Sequence, residues 1–318
     1  MQSTSNTQTA SPLSNQMVGD TIIPDLNSGI LRQYYELTKP GITQMVALST
    51  LTAYYLALQV DVVAYASSVV NWLHFFETML GTIAISAGSC VFNHVMERKN
   101  DGRMKRTALR PIPSGAISVK NAIVFGVVLT VIGAALIAPI NMLTLALAAI
   151  TWVLYVAVYT PLKQRTKWAL IVGSIPGALP FVGGWTAVRG TIDAPALVLF
   201  AILFAWQIPH FLALSWMYRS DYREGGFVLR SLTDESGTIV AWQTLLSTIV
   251  TALLCMLPWI IGVTGTMYIV GAVGLCGWMT YEAIRFVGER SHSRARKVLL
   301  TSYAVLMGVY ILVLVDKV

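Results

Sequence analysis

The sequence predicts an all-α, polytopic membrane protein of nine transmembrane helices, and three observations carry that prediction. Hydrophobic side chains make up 55% of the 318 residues and charged ones only 12%, with a mean hydropathy of +0.65; a soluble domain needs far more polar surface. The apolar residues recur in long segments separated by short polar ones, as a multi-span chain requires. The basic residues gather in alternate loops, the pattern by which charge sets membrane topology.

Before the first span, residues 1–30 read as a polar cytoplasmic tail rich in Ser, Thr, Asn and Gln. It has no signal-peptide core and no cationic amphipathic pattern. The membrane domain is then 31–318. Its spans are 40–58, 68–95, 118–138, 142–160, 168–188, 194–217, 238–260, 265–286 and 298–315. Each approaches the roughly 20 residues that about 30 Å of hydrocarbon demands at about 1.5 Å per residue. The hairpin at 139–141, Pro-Ile-Asn, is so tight that eight spans is the alternative.

Charge favours nine. Placing the N-terminus and loops 96–117, 161–167, 218–237 and 287–297 on one side gives that side, with its flanks, 20 of the 22 Lys and Arg residues. The other side keeps Arg189 and Lys317. The basic side is cytoplasmic in a bacterial inner membrane, or faces the matrix in a mitochondrion, and the C-terminus faces out. The net charge of +7 is thus topological and implies no nucleic-acid partner. Cys90, Cys255 and Cys276 all fall in apolar segments without ligand spacing, so they read as buried packing residues.

The basic side is also where the chemistry lies. At the end of the second span, Asn93, Glu97 and Asp101 recur every four residues. On a helix that spacing makes one stripe of oxygen-bearing side chains, about 6 Å apart along the axis. The helix should end near Asp101-Gly102. Such oxygens suit Mg²⁺, which reaches protein through one or two carboxylates and substrate phosphates. The alternative is that Glu97 and Asp101 pair with Arg98, Lys99 or Arg103 at the interface. Arg103, Lys105, Arg106, Thr107 and Arg110 follow, a set suited to a diphosphate. Pro111 and Pro113 stiffen the exit of that loop.

Three later segments add to it. Tyr159, Lys163, Arg165, Thr166 and Lys167 form a second basic turn on the same side. In the sixth span, Trp206, Gln207 and His210 stand in an apolar helix beside Pro209, where polar groups are costly and often functional. After it come Asp221, Tyr222, Arg223 and Glu224, of which Asp221 offers a further metal contact; Asp234 and Glu235 suit a cap for the seventh span. His74, His94 and His292 share no motif with His210, so no paired-histidine haem centre is expected. Together these residues point to an enzyme acting on a lipid-like diphosphate at the cytoplasmic face.

The run Asn93-x3-Glu97-x3-Asp101-x2-Met104-x-Arg106-Thr107-x2-Arg110-Pro111 closely resembles the first signature of the UbiA-type intramembrane prenyltransferases. More narrowly, it is similar to their protohaem IX farnesyltransferase branch. Tyr159-Thr160-x2-Lys163-x-Arg165-Thr166, Trp206-Gln207-x-Pro209-His210-Phe211 and Asp221-Tyr222-x2-Gly225-Gly226 match that branch's later signatures, and the likeness runs from about residue 31 to 315. Glu97 replaces the usual Asp and Gly225 the usual Ala. Phe227-Val228-Leu229-Arg230 stands where an apolar-Pro-Met-Leu run is common, and the second acidic signature is reduced to Asp221 and Glu224.

The resemblance implies nine helices around a central cavity. It implies Mg²⁺-dependent transfer of a farnesyl group from farnesyl diphosphate to a vinyl group of haem B, with water added, giving haem O for haem-copper oxidases. Haem B is then a substrate rather than a permanent cofactor, and a haem A synthase is a further partner. Asn93, Glu97, Asp101, Arg106 and Lys163 become the expected catalytic set. Lys105, Arg106, Thr107, Arg110, Tyr159, Lys163 and Arg165 would hold diphosphate, and Asn93, Glu97, Asp101 and Asp221 the metal. Trp206, Gln207 and His210 would meet the haem, although His210 also reads as a packing residue. The rival readings are an aromatic-acid prenyltransferase of quinone synthesis and, more distantly, a transporter or haem-binding structural protein.

Overall fold

The computed structural model describes residues 29–59 and 62–318; apart from its last two residues, the expected polar tail lies outside them. The described chain is almost wholly helical. A short amphipathic helix α1 (Ile30–Leu37) precedes α2 (Pro40–Ala57), whose first residue is a proline, well suited to an opening turn that needs no N–H. Then come α3 (Val69–Asp101), α4 (Val119–Ile137), α5 (Met142–Leu162), α6 (Ala169–Arg189) and α7 (Ala194–Met217). A short cytoplasmic-side helix α8 (Arg219–Glu224) follows, and α9 (Thr238–Ile260), α10 (Thr266–Gly288) and α11 (His292–Val315) complete the bundle.

Among the described residues, eight helices are long and apolar enough to cross a membrane: α3 to α7 and α9 to α11. The tight hairpin is real. Asn141 is extended, and its side chain accepts from the Thr144 N–H at 2.8 Å, so it ends one span and caps the next. The span that departs from expectation is the first. Helix α2 has the 18 residues but buries Thr43, Ser49, Thr50 and Thr52, and with these hydroxyls it lacks the strongly apolar 18-residue stretch that each of the other eight contains. It is an inner helix, packed against α6. A Cβ on Gly184 would lie 2.3 Å from the Thr50 carbonyl oxygen, so only glycine lets the two backbones meet there.

The core lies where α2, α6, α7, α10 and α11 converge, around Ala53, Phe181, Trp206, Tyr268 and Val309. Val124, Val128, Val131 and Ile132 of α4 are exposed, as expected of a face turned to lipid. All three cysteines are buried and free. Asp234 does cap α9: its Oδ2 accepts from the Val240 N–H at 2.9 Å. The two basic residues assigned to the sparsely charged side also share one end. Lys317 Nζ donates to the Tyr55 and Leu58 carbonyls at 2.9 and 2.6 Å, and it borders one depression with Arg189. That end is about 27 Å along α2 from Lys39.

Candidate active site

A cavity of 630 Å³ opens between the helices, and Asn93, Glu97 and Asp101 line it together. They are 1%, 2% and 1% exposed. Helix α3 ends at Asp101 as expected, but Gly102 is not left-handed (φ −66°); the chain turns on through Arg103–Ser114 instead.

The stripe does not pair with its own neighbours. Glu97 Oε1 lies 3.0 Å from Lys163 Nζ, brought by the end of α5. Arg110 Nη1 donates to both Asp101 carboxylate oxygens at 2.9 Å. Asn93 Nδ2 donates to Thr160 Oγ1 at 2.9 Å, and its Oδ1 accepts from Lys39 Nζ. Arg98 instead donates to the Val95 carbonyl. Each member of the stripe therefore faces a cation or a hydroxyl drawn from elsewhere in the fold.

Lys39, one of the basic residues counted on the cytoplasmic side, belongs to no sequence motif, yet it lines the cavity. It is the one non-glycine with positive φ (47°) among the described residues. That conformation is uncommon for a side chain of this size and turns the ammonium inward. Burial, and then the Arg110 charge, lowers its pKa from the ordinary lysine value, with Glu97 opposing. Lys163 behaves differently. Burial pulls it down, but the Glu97 carboxylate, Tyr159 and Tyr222 more than reverse this and hold it above the ordinary value. It stays a firm cation.

The turn that delivers these groups is a π-helical stretch, Leu154–Tyr159, near the end of α5. Such widened turns recur at functional sites. Here Tyr155 and Tyr159 line the cavity with ring centroids 5.6 Å apart. The segment after α8 closes over them. Asn100 Nδ2 donates to the Gly225 carbonyl at 2.6 Å, and the Val228 N–H donates to the Lys163 carbonyl at 3.0 Å. Phe227 then lies under Lys163 Nζ, 4.6 Å from the ring centroid. Arg106 stacks 5.2 Å from the Tyr218 ring.

Farther round the wall, Trp206, Gln207 and His210 are all buried and line the same cavity. Trp206 and His210 stack with centroids 4.7 Å apart, and Tyr303 meets His210 edge-on at 4.8 Å. The polar atoms are held by the bundle. Trp206 Nε1 donates to the Ser302 carbonyl at 2.7 Å, His210 Nδ1 meets Ser302 Oγ at 2.8 Å, and Gln207 Nε2 donates to the Ser174 carbonyl at 3.0 Å. Gly177 makes room for Gln207: a Cβ there would lie 2.1 Å from Oε1.

Of the residues singled out in the sequence, the fold brings Asn93, Glu97, Asp101, Arg106, Arg110, Tyr159, Lys163, Trp206, Gln207 and His210 to this one cavity. Lys105 and Arg165 are exposed and do not line it. Thr107 is buried, but its hydroxyl donates to the Asp101 backbone carbonyl at 2.8 Å, tying the loop to the helix end. Asp221 is partly exposed on α8 and is not on the cavity wall. Among the described residues no three His, Cys, Asp or Glu side chains gather as a metal centre. The four-residue metal set is therefore not assembled in this conformation. The stripe alone offers two carboxylates and an amide oxygen, which fits a Mg²⁺ ion completed by substrate phosphate oxygens.

Comparison with known proteins gives one consistent answer. The UbiA prenyltransferase family matches residues 50–307. A protoheme IX farnesyltransferase of Solibacter usitatus is 38% identical over 297 residues, covering 90% of this chain and 99% of the relative. That of Salinibacter ruber is 39% identical over 288 residues, again covering 90% and 99%. Among solved structures, a digeranylgeranylglyceryl phosphate synthase shares the fold at a TM-score of 0.72 and 18% identity, covering 90% of this chain and 98% of that one. A UbiA homolog from Archaeoglobus fulgidus, bound to GPP and Mg²⁺, does so at 0.62 and 12%, covering 88% and 99%.

Proposed function

The chain belongs to the UbiA prenyltransferase family, and from that premise we propose that it transfers the farnesyl group of farnesyl diphosphate to a vinyl group of haem B, with addition of water, to give haem O and diphosphate. The observation that carries the reading is the two-part wall of a single cavity. Its charged pole is Asn93, Glu97 and Asp101 with Lys39, Lys163 and Arg110, and its aromatic side is Trp206, His210 and Tyr303. The first suits a leaving diphosphate and the second a flat, apolar acceptor.

Asn93, Glu97 and Asp101 would hold Mg²⁺, and Asp221, on α8 away from the cavity wall, would not reach it in this conformation. The ion, when bound, supplies positive charge to the diphosphate oxygens. Arg106, Arg110 and Lys163 hold the remaining oxygens by charge-assisted bonds, and Tyr159 donates a further one. As the C–O bond of the donor breaks, this fixed positive field stabilises the charge gathering on the leaving group. The closing segment around Phe227 excludes water from the resulting allylic cation. The haem vinyl π-bond attacks that cation, and water captures the porphyrin-stabilised cation left behind, its surplus proton passing to the released diphosphate. No protein base needs to deprotonate the acceptor first. Lys105 and Arg165, exposed and off the cavity wall, contribute long-range attraction for the anionic donor.

The protein sits in a bacterial inner membrane with its N-terminus and active site cytoplasmic and its C-terminus outside, the orientation that the distribution of 20 basic residues against two supports. A haem A synthase is the fitting downstream partner. Purified protein with haem B, farnesyl diphosphate and Mg²⁺ should yield haem O, and EDTA should abolish the product. Prenylation of a hydroxybenzoate with haem B untouched would overturn the assignment in favour of the quinone-pathway reading.

A further inference from the structure

Four cations that line the cavity are already engaged: Lys39 with Asn93, Arg110 with Asp101, Lys163 with Glu97, and Arg106 with the Tyr218 ring. Two others that line the same cavity are not. Lys167 and Arg230 both face it, and among the described residues neither side chain makes a hydrogen bond, ion pair or ring contact. They come from different loops that both border this cavity. The Val228 N–H to Lys163 carbonyl bond joins the loops, with Arg230 two residues beyond one partner and Lys167 four beyond the other.

Resting on the haem reading above, we propose that Lys167 and Arg230 bind the two propionate carboxylates of the porphyrin acceptor. The ring then lies along Trp206, His210 and Tyr303, with its charged edge at the basic mouth of the cavity. A flat amphipathic ligand needs that arrangement: the apolar ring sinks among helices while the carboxylates stay near water and opposite charge. A guanidinium matches a carboxylate in a planar two-bond geometry, and an ammonium reaches the second from a flexible stem. The diphosphate gains little from these two, because it is served by the α3 stripe and the four engaged cations, Arg106 among them. The acceptor has no other cation left to it on the lining. Lys167 and Arg230 would therefore set which acceptor is taken and which way round it lies.

The test is titration of haem B, read at its Soret band, into the full-length protein in detergent. Wild type, Lys167→Gln, Arg230→Gln and the double variant are compared, together with haem B dimethyl ester. Each single substitution should weaken haem B binding roughly tenfold, and the double more. The ester should bind wild type no better than haem B binds the double variant. The KM for farnesyl diphosphate should not change. Neither side chain has a partner to lose, so thermal midpoints should match wild type. Equal haem affinity in wild type and the double variant overturns the proposal. So does a raised KM for farnesyl diphosphate with haem binding intact, which would give these cations to the donor. A wild type that binds no haem B at all would overturn the acceptor reading as well.

Discussion

Replacing Lys163 by Met removes the cation 3.0 Å from Glu97 Oε1 and leaves a carboxylate that is 2% exposed without its counter-charge. Unit charges at that separation attract by roughly 5–6 kcal/mol at an effective dielectric of about 20. Much of this is offset by the desolvation needed to form the pair. Breaking such a pair from one side costs about 3–5 kcal/mol, because the remaining charge stays buried. Glu97→Gln should cost less, about 2 kcal/mol. The ammonium then keeps its places 4.6 Å from the Phe227 ring and 5.6 Å from the Tyr159 ring, and the amide oxygen still accepts. The double variant carries neither charge and should be about 2–3 kcal/mol less destabilised than the sum of the singles. Reversible unfolding in mixed micelles measures all three. The sign of the pH dependence follows from Lys163, whose pKa is raised by Glu97, Tyr159 and Tyr222 against the opposing effect of burial. A cation held above its unfolded value contributes fully below about pH 10 and is lost only as pH climbs through the raised value. The coupling should thus be constant between about pH 6 and 9. Additivity within about 0.5 kcal/mol, or a Lys163→Met variant as stable as wild type, would refute the pairing.

Two further substitutions separate site from scaffold. Lys39→Met should lower farnesyl transfer by roughly 10²-fold or more, as loss of one fixed charge-stabilising donor does, and leave haem B binding unchanged; steady-state kinetics and Soret titration check it. Gly184→Ala would press a Cβ to 2.3 Å from the Thr50 carbonyl oxygen. It should destabilise the bundle by about 1–3 kcal/mol, read as a lowered thermal midpoint in detergent, and an unchanged midpoint would contradict the close contact of α2 with α6.

What could be read from the sequence follows its periodicities. Asn93, Glu97 and Asp101 share a face because four-residue spacing on a helix permits nothing else, and all three reach the cavity. The same rule is silent in turns. Arg106 and Lys163 reach the cavity while their neighbours Lys105 and Arg165 do not, and irregular backbone has no period that distinguishes them. Partners separated by many residues were equally hidden. The stripe invited pairing with Arg98, Lys99 or Arg103, yet the cations that arrive are Lys163 and Arg110, set by how α5 and the following turns fold back. Lys39 was invisible for a further reason: its inward turn depends on a positive φ in front of Pro40. Helix α2 shows the limit of hydropathy. Buried hydroxyls satisfied by backbone carbonyls, such as Ser49 to Met45 and Thr52 to Leu48, let a less apolar helix sit at the heart of the bundle.

The central claim is that the Asn93–Glu97–Asp101 pole drives farnesyl transfer to haem. It is tested most directly by mass analysis of the haem product from wild type and Asp101→Asn, each given haem B, farnesyl diphosphate and Mg²⁺. Wild type should convert haem B to haem O, and Asp101→Asn should retain its fold and haem binding but fall to about 1% of that rate or less. Haem O formation by Asp101→Asn at the wild-type rate, or farnesyl consumption by wild type with haem B unaltered, would contradict the account.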